Sequence, residues 1–208
     1  MKKRPDIRAI FFDLGGVIVS GSLSNVVKAL ATLTRVSQKR IKKFYDPWVE
    51  PLHKGEITSV SLARKACAHF GITTPKGRKA RRTFIEVYKR NKKISRPLLR
   101  LVLALRHRYT VGLISDIVHE HAIANARWGV FKYFKPVVLS CFIGLCKPGS
   151  AIFHYALRKA GIKPREAVFI DDLAENVRGA QRVGMYGVRF KNIQLLRRDL
   201  KKLGVLWN

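Results

Sequence analysis

Asp13, Ser115 and the pair Asp171 and Asp172 share one sequence context. Each closes a short apolar, β-prone run, over residues 7–12, 109–114 and 167–170. A carboxylate at a strand end can attack phosphorus only where the repulsion between two anions is neutralised, so nucleophile, cation and hydrogen-bond donors must converge. Three of the 13 acidic residues are Asp171, Asp172 and Glu175, and side-by-side carboxylates at a strand end call for a cation. A metal site is favoured there over a structural salt bridge. Taken singly, Ser115 reads as a satisfied loop residue and Lys147-Pro148 as the start of a helix.

The elements that must position these residues are strands alternating with helices. Two further apolar runs, 137–139 and 186–190, complete a sheet, and residues 97–107 and 149–160 carry helix signals, with Pro148 at the start of the second and Gly161 beyond its end. This alternation gives an α/β fold with a doubly wound parallel sheet, whose ligand site lies outside the carboxyl ends of the strands. From about Ser20 to Asn91 the patterning is helical only. Leu23, Val26, Val27, Leu30 and Leu33 share a face, Ser37 and Thr58 are placed as helix caps, and a last helix is expected over residues 76–90. The expected organisation is therefore a core of residues 1–19 and 92–208 with an inserted helical domain of residues 20–91, joined by linkers near 19–21 and 92–95. Ile193, Leu196, Leu200 and Leu203 form the apolar face of a final helix that docks on the sheet, with Gly204 as its stop.

Four segments, in order, carry a resemblance: FFDLGGVIV around Asp13, GLISD around Ser115, Lys147-Pro148 in LCKPGSAIF, and VFIDDLAENV around Asp171 and Asp172. Over residues 7–190 the chain resembles the haloacid dehalogenase-like superfamily, whose sugar-phosphate phosphatases with a small helical cap carry an insert in the corresponding place. The resemblance implies a Rossmann-like core and a magnesium-dependent phosphatase of small phosphomonoesters, working through an aspartyl-phosphate on Asp13. It implies Mg²⁺ held by Asp13, the Gly15 carbonyl and a carboxylate of the fourth motif, Asp172 first and Asp171 second. It also implies that Ser115 and Lys147 act on the phosphoryl group, with Gly16 and Asp116 beside them in substrate binding. The insert would be a cap that sets substrate choice.

One departure matters. Phosphatases of this superfamily carry a second Asp two residues after the nucleophile, and here that position is Gly15. A positioned acid/base is worth ~10² to 10⁴ in rate. His53, His119, Glu175 or a cap residue could take its place, and the sequence does not choose among them.

The formal net charge of +29, with 42 Lys and Arg, implies attraction to polyanions. The basic residues run along nearly the whole chain, so a uniformly basic surface is favoured over an evolved nucleic-acid function. Lys76, Arg78, Lys79, Arg81 and Arg82 read first as a solvated face, and Phe84, Val87 and Tyr88 as core. Cys67, Cys141 and Cys146 have no ligand spacing, which fits a reducing cytoplasm. Lys2, Lys3 and Arg4 precede an apolar stretch, but Asp13, Gly15 and Gly16 argue against a secretory leader, and no run is long enough to span a bilayer. The expected partner is a small phosphorylated metabolite, for a monomer or homodimer. Two other readings stand beside the phosphatase: a metal-free 2-haloacid dehalogenase, and a degenerate member that binds RNA or another polyanion.

Overall fold

The computed structural model describes residues 5–20 and 25–207. Lys2, Lys3 and Arg4, Gly21 of the expected first linker, and Leu23 of the expected helix face lie outside these residues. Strand β1 (Ala9–Phe12) runs into the turn that carries Asp13, and a two-residue strand β2 (Val19–Ser20) follows. Among the described residues five α-helices form the insert: α1 (Asn25–Thr34), α2 (Gln38–Tyr45), α3 (Val49–His53), α4 (Ser59–His69) and α5 (Gly77–Asn91). Thr58 caps α4 through its side chain, which accepts from the Ser61 amide at 3.1 Å, whereas Ser37 makes no side-chain cap on α2.

The chain then returns through β3 (Lys93–Ile94) and α6 (Arg96–Leu105) to β4 (Thr110–Ser115), α7 (His119–Arg127), β5 (Val137–Leu139), α8 (Ser140–Ile143), α9 (Ser150–Ala160), β6 (Ala167–Asp171), α10 (Ala174–Arg182), β7 (Tyr186–Arg189) and α11 (Ile193–Lys202). Residues 19–20 of the first expected linker and 93–95 of the second are therefore joined to the chain across from them. Val19 and Ser20 pair antiparallel with Ile94 and Lys93, and the Ser95 amide donates to the Ile18 carbonyl at 2.9 Å.

The main sheet has five strands in the order β5-β4-β1-β6-β7, all parallel, with β1 in the middle. Strands buried on both faces read as continuous apolar runs, and β1 is buried throughout. The two-residue period sends Ile10 and Phe12 to one side, with Leu98, Val102, Leu196 and Leu200 of α6 and α11. Ala9 and Phe11 go to the other, with Ile152, Phe153 and Ala156 of α9. Val168 and Ile170 against Ala167 and Phe169 repeat the division on β6. The insert has a core of its own, in which Val26, Leu30, Ile41, Leu62 and Phe84 pack together. Among the described residues no helix is long and apolar enough to cross a membrane.

Candidate active site

Parallel register brings the polar residues to one edge. Asp13 follows β1, Ser115 ends β4 and Asp171 ends β6, and the Asp13 amide donates to the Ile170 carbonyl at 2.8 Å. Lys147 enters from the loop between α8 and α9. Its Nζ lies 2.6 Å from Asp13 Oδ1 and 2.8 Å from Asp171 Oδ2, with all three side chains out of solvent. The Lys147 amide donates to Asp116 Oδ1 at 3.1 Å, so Asp116 fastens the loop that delivers the ammonium.

Asp171 is fully engaged: Oδ1 accepts from the Leu173 amide at 2.8 Å, and Oδ2 also accepts from Asn176 Nδ2 at 3.0 Å. Asp172 is half-buried. Its carboxylate lies over Gly16, whose φ of +80° and lack of a Cβ permit the approach, because a Cβ there would run into that carboxylate. Carboxylate oxygens of Asp13, Asp171 and Asp172 lie within 4.8 Å of one another.

Burial pushes the Asp13 carboxyl up to about 7, with Lys147 pulling it back and Asp171 pushing it further. Burial and the charge of Asp171 also raise Asp172, and burial raises Asp116. For Lys147 burial opposes the charge, yet Asp13, Asp171 and Asp116 together hold the ammonium well above its ordinary value. The ammoniums of Lys147 and Lys92 thus stand against the carboxylates of Asp13, Asp116, Asp171 and Asp172. Such a surplus of hard, negative oxygen donors fits a divalent cation of the magnesium type.

The turn after Asp13 is closed by two bonds, Gly16 N–H to the Val19 carbonyl at 2.9 Å and Val19 N–H to the Leu14 carbonyl at 2.7 Å. Neither uses the Gly15 carbonyl. A Cβ built on Gly15 meets nothing nearer than Asp13 Oδ2 at 4.0 Å, so the position has room for a side chain.

Gly15, Ser115 and Asp116 open onto a cavity of ≈ 280 Å³ between core and insert. Its other polar walls are Asn25, Tyr45, His53, Tyr88, Lys92 and His121. Of these only His53 stands out in the sequence as a candidate for chemistry. Tyr88 carries helical core spacing, and nothing marks His121, which lies on a helix the apolar pattern does not announce. The three candidates for the missing acid/base separate. His53 lines this cavity and an adjoining one shared with Lys147 and Asp116. His119 lies edge-on against Phe142, with ring centroids 5.0 Å apart, and Glu175 is exposed in the first turn of α10.

The family model of haloacid dehalogenase-like hydrolases matches residues 7–184. The chain is 25% identical over 218 residues to rat bifunctional epoxide hydrolase 2, which covers 95% of this chain but only 39% of that protein's length. A shorter stretch of 66 residues is 46% identical to a glyceraldehyde 3-phosphate phosphatase of Methanopyrus kandleri, over 31% of this chain and 28% of that one. In fold the chain is similar to an enzyme from Bacteroides thetaiotaomicron crystallised with magnesium and inorganic phosphate, with TM-score 0.76, 24% identity, and coverage of 91% of this chain and 98% of that one. It is also similar in fold to a 2-haloacid dehalogenase from Pseudomonas syringae, with TM-score 0.66, 20% identity, and coverage of 88% and 86%.

Proposed function

The chain belongs to the haloacid dehalogenase-like hydrolases, and from that premise we propose that it is a magnesium-dependent phosphatase of small phosphomonoesters. The observation that carries this reading is the grouping of Asp13, Asp171 and Asp172, the first two paired with the Lys147 ammonium, beside the cavity between core and insert. A haloacid carries one carboxylate and its displacement chemistry needs no metal, so three converging carboxylates favour phosphoryl transfer. The phosphatase relative and the magnesium- and phosphate-bound neighbour support the same class.

Asp13 is the nucleophile. Its carboxylate oxygen forms a bond to phosphorus as the bond to the ester oxygen breaks, leaving an aspartyl-phosphate and an alkoxide or phenolate. Lys147 and the Ser115 hydroxyl neutralise and position the phosphoryl oxygens. Asp13, the Gly15 carbonyl and Asp172 would hold magnesium; Asp171 is taken up by Lys147, Leu173 and Asn176 and serves to orient the ammonium. When bound, the metal supplies the positive charge that lets one anion approach another. With no acid at Gly15, departure of the ester oxygen in the first step goes unassisted by this turn. In the second step His53 takes a proton from the attacking water. Burial and the Lys147 charge push its imidazole down to about 4, which leaves it unprotonated at neutral pH but makes it a weaker base than an ordinary imidazole.

Residues 20–91 act as the cap. The cavity they close over the site admits a metabolite-sized ester, and Asn25, Tyr45 and Lys92 face its polar part. The test is a panel of phosphomonoesters, glyceraldehyde 3-phosphate among them, assayed with magnesium and again after chelation, for the parent and Asp13→Asn. Metal-dependent phosphate release that vanishes in Asp13→Asn is expected. Release indifferent to both would refute the reading, and metal-independent halide release from a 2-haloacid would replace it with dehalogenation.

A further inference from the structure

Away from the active site, α4, α5 and the end of α7 enclose a groove of ≈ 640 Å³ whose charged walls are Arg64, Arg78, Arg81, Arg82 and Arg127, with Glu86 as the lone acid. The chain contains 21 arginines and 21 lysines. A groove that merely sampled this basic background would mix the two, but this one is lined by five arginines and no lysine. All five are exposed, and among the described residues none lies within ion-pair distance of a carboxylate. Glu86 is directed to Lys89, at 3.9 Å. The groove therefore presents guanidinium groups that no described carboxylate pairs with.

The arrangement is a strip. Arg78, Arg81 and Arg82 stand at i, i+3 and i+4 on α5, which puts them on one helix face. Arg64 on α4 and Arg127 on α7 supply the facing walls, over an apolar floor that includes Val60 and Ile85. Guanidinium differs from ammonium in two ways that count here: its planar fork pairs bidentately with phosphate oxygens, and its flat face stacks on aromatic rings. A single phosphate would need donors converging on one point, whereas donors strung along a helix face match successive phosphates of a polymer. The groove has the volume of a small-ligand site, room for a few linked nucleotides.

We infer that this arginine groove binds the backbone of a single-stranded RNA, separately from the phosphatase site. The backbone would run along α5, with bases free to lie on the apolar floor and the guanidinium faces. Because net charge alone attracts any polyanion, the test must remove equal charge from two places.

Binding of a labelled single-stranded RNA of about 12 nucleotides is measured by fluorescence anisotropy across a salt series. The groove triple Arg78→Gln, Arg81→Gln, Arg82→Gln is compared with a surface triple Arg165→Gln, Arg178→Gln, Arg197→Gln. The expected result is a loss of about tenfold or more for the groove triple and under about threefold for the surface triple. A third variant replaces the three groove arginines by lysine, keeping charge and solubility while removing the fork, and should fall between the parent and the groove triple. Equal losses in both Gln triples would assign binding to the background charge and overturn the inference. So would full affinity in the groove triple, or loss of binding to anionic lipid vesicles with RNA binding intact.

Discussion

Tyr88 of the insert stacks on His121 of the core, with ring centroids 4.1 Å apart and planes inclined by 23°. Asn125 Nδ2, one turn along from His121, donates to the Tyr88 hydroxyl at 2.8 Å. This pair joins α5 to α7 at the wall of the cavity, tying the insert to the core beside the candidate site. Among the described residues the buried His121 Nε2 has no hydrogen-bond partner, a setting that suits a neutral ring and penalises an imidazolium.

That penalty gives acid-dependent stability. Burial, with Lys92 and His53 nearby, pushes His121 down to about 3 from an ordinary 6.5. The unfolded chain then binds a proton the folded chain refuses. The contribution is complete above pH 6.5 and is lost as pH falls from there toward 3, at about 1.4 kcal/mol per pH unit. Asp13, pushed the other way, gives an opposite slope, so the informative quantity is the difference between the parent and His121→Gln in chemical denaturation at several pH values. The parent's stability should fall more steeply than the variant's between pH 6.5 and 4. Parallel curves would mean that His121 accepts a proton without penalty.

Lys147 offers a second test. Replacing it with Met removes the ammonium placed between Asp13 and Asp171 and leaves buried carboxylates without a counter-charge. Breaking a buried pair from one side costs ~3–5 kcal/mol. Magnesium should offset part of this loss, so the rise in melting temperature on adding magnesium is expected to be larger for Lys147→Met than for the parent. Equal rises would separate the metal from these carboxylates.

The sequence made the sheet and its polar edge legible because Asp13, Ser115 and Asp171 each stand where an unbroken apolar run stops, and a strand buried on both faces leaves that trace. It left the cavity's outer wall unread. Tyr88 shares its helix face with Phe84, so its spacing says only that it is buried, not that its edge reaches the site. His121 escaped because α7, His119–Arg127, is rich in Ala and polar residues and has a faint amphipathic pattern. Strands β2 and β3 are two residues each, too short for any period to show, and so read as linkers.

His53 can be tested by the step it serves. If it activates water against the aspartyl-phosphate, His53→Gln should slow the second step and spare the first. With p-nitrophenyl phosphate the steady-state rate should fall by ~10² to 10⁴, while rapid mixing shows a burst of nitrophenolate close to one per enzyme. A fall in rate without a burst would move His53 to the first step. An unchanged rate would leave the base to another wall of the cavity.

Gly15 carries the last prediction. The position lacks a carboxylate but has space for one, since its nearest neighbour to an added Cβ is Asp13 Oδ2 at 4.0 Å and its φ is not left-handed. The parent has nothing in this turn to protonate a departing alkoxide, so esters with good leaving groups should react relatively better than simple alkyl phosphates. Gly15→Asp should raise rates on alkyl phosphates by up to ~10² to 10⁴ and on an aryl phosphate by less. Base assistance to the second step would help both substrates alike, so the ratio of the two gains isolates protonation of the leaving group. A ratio near one would place the deficit in breakdown of the aspartyl-phosphate, where His53 already acts. No gain on either substrate, with magnesium binding and fold preserved, would mean that an acid from the cap already serves the first step and that Gly15 marks no deficit.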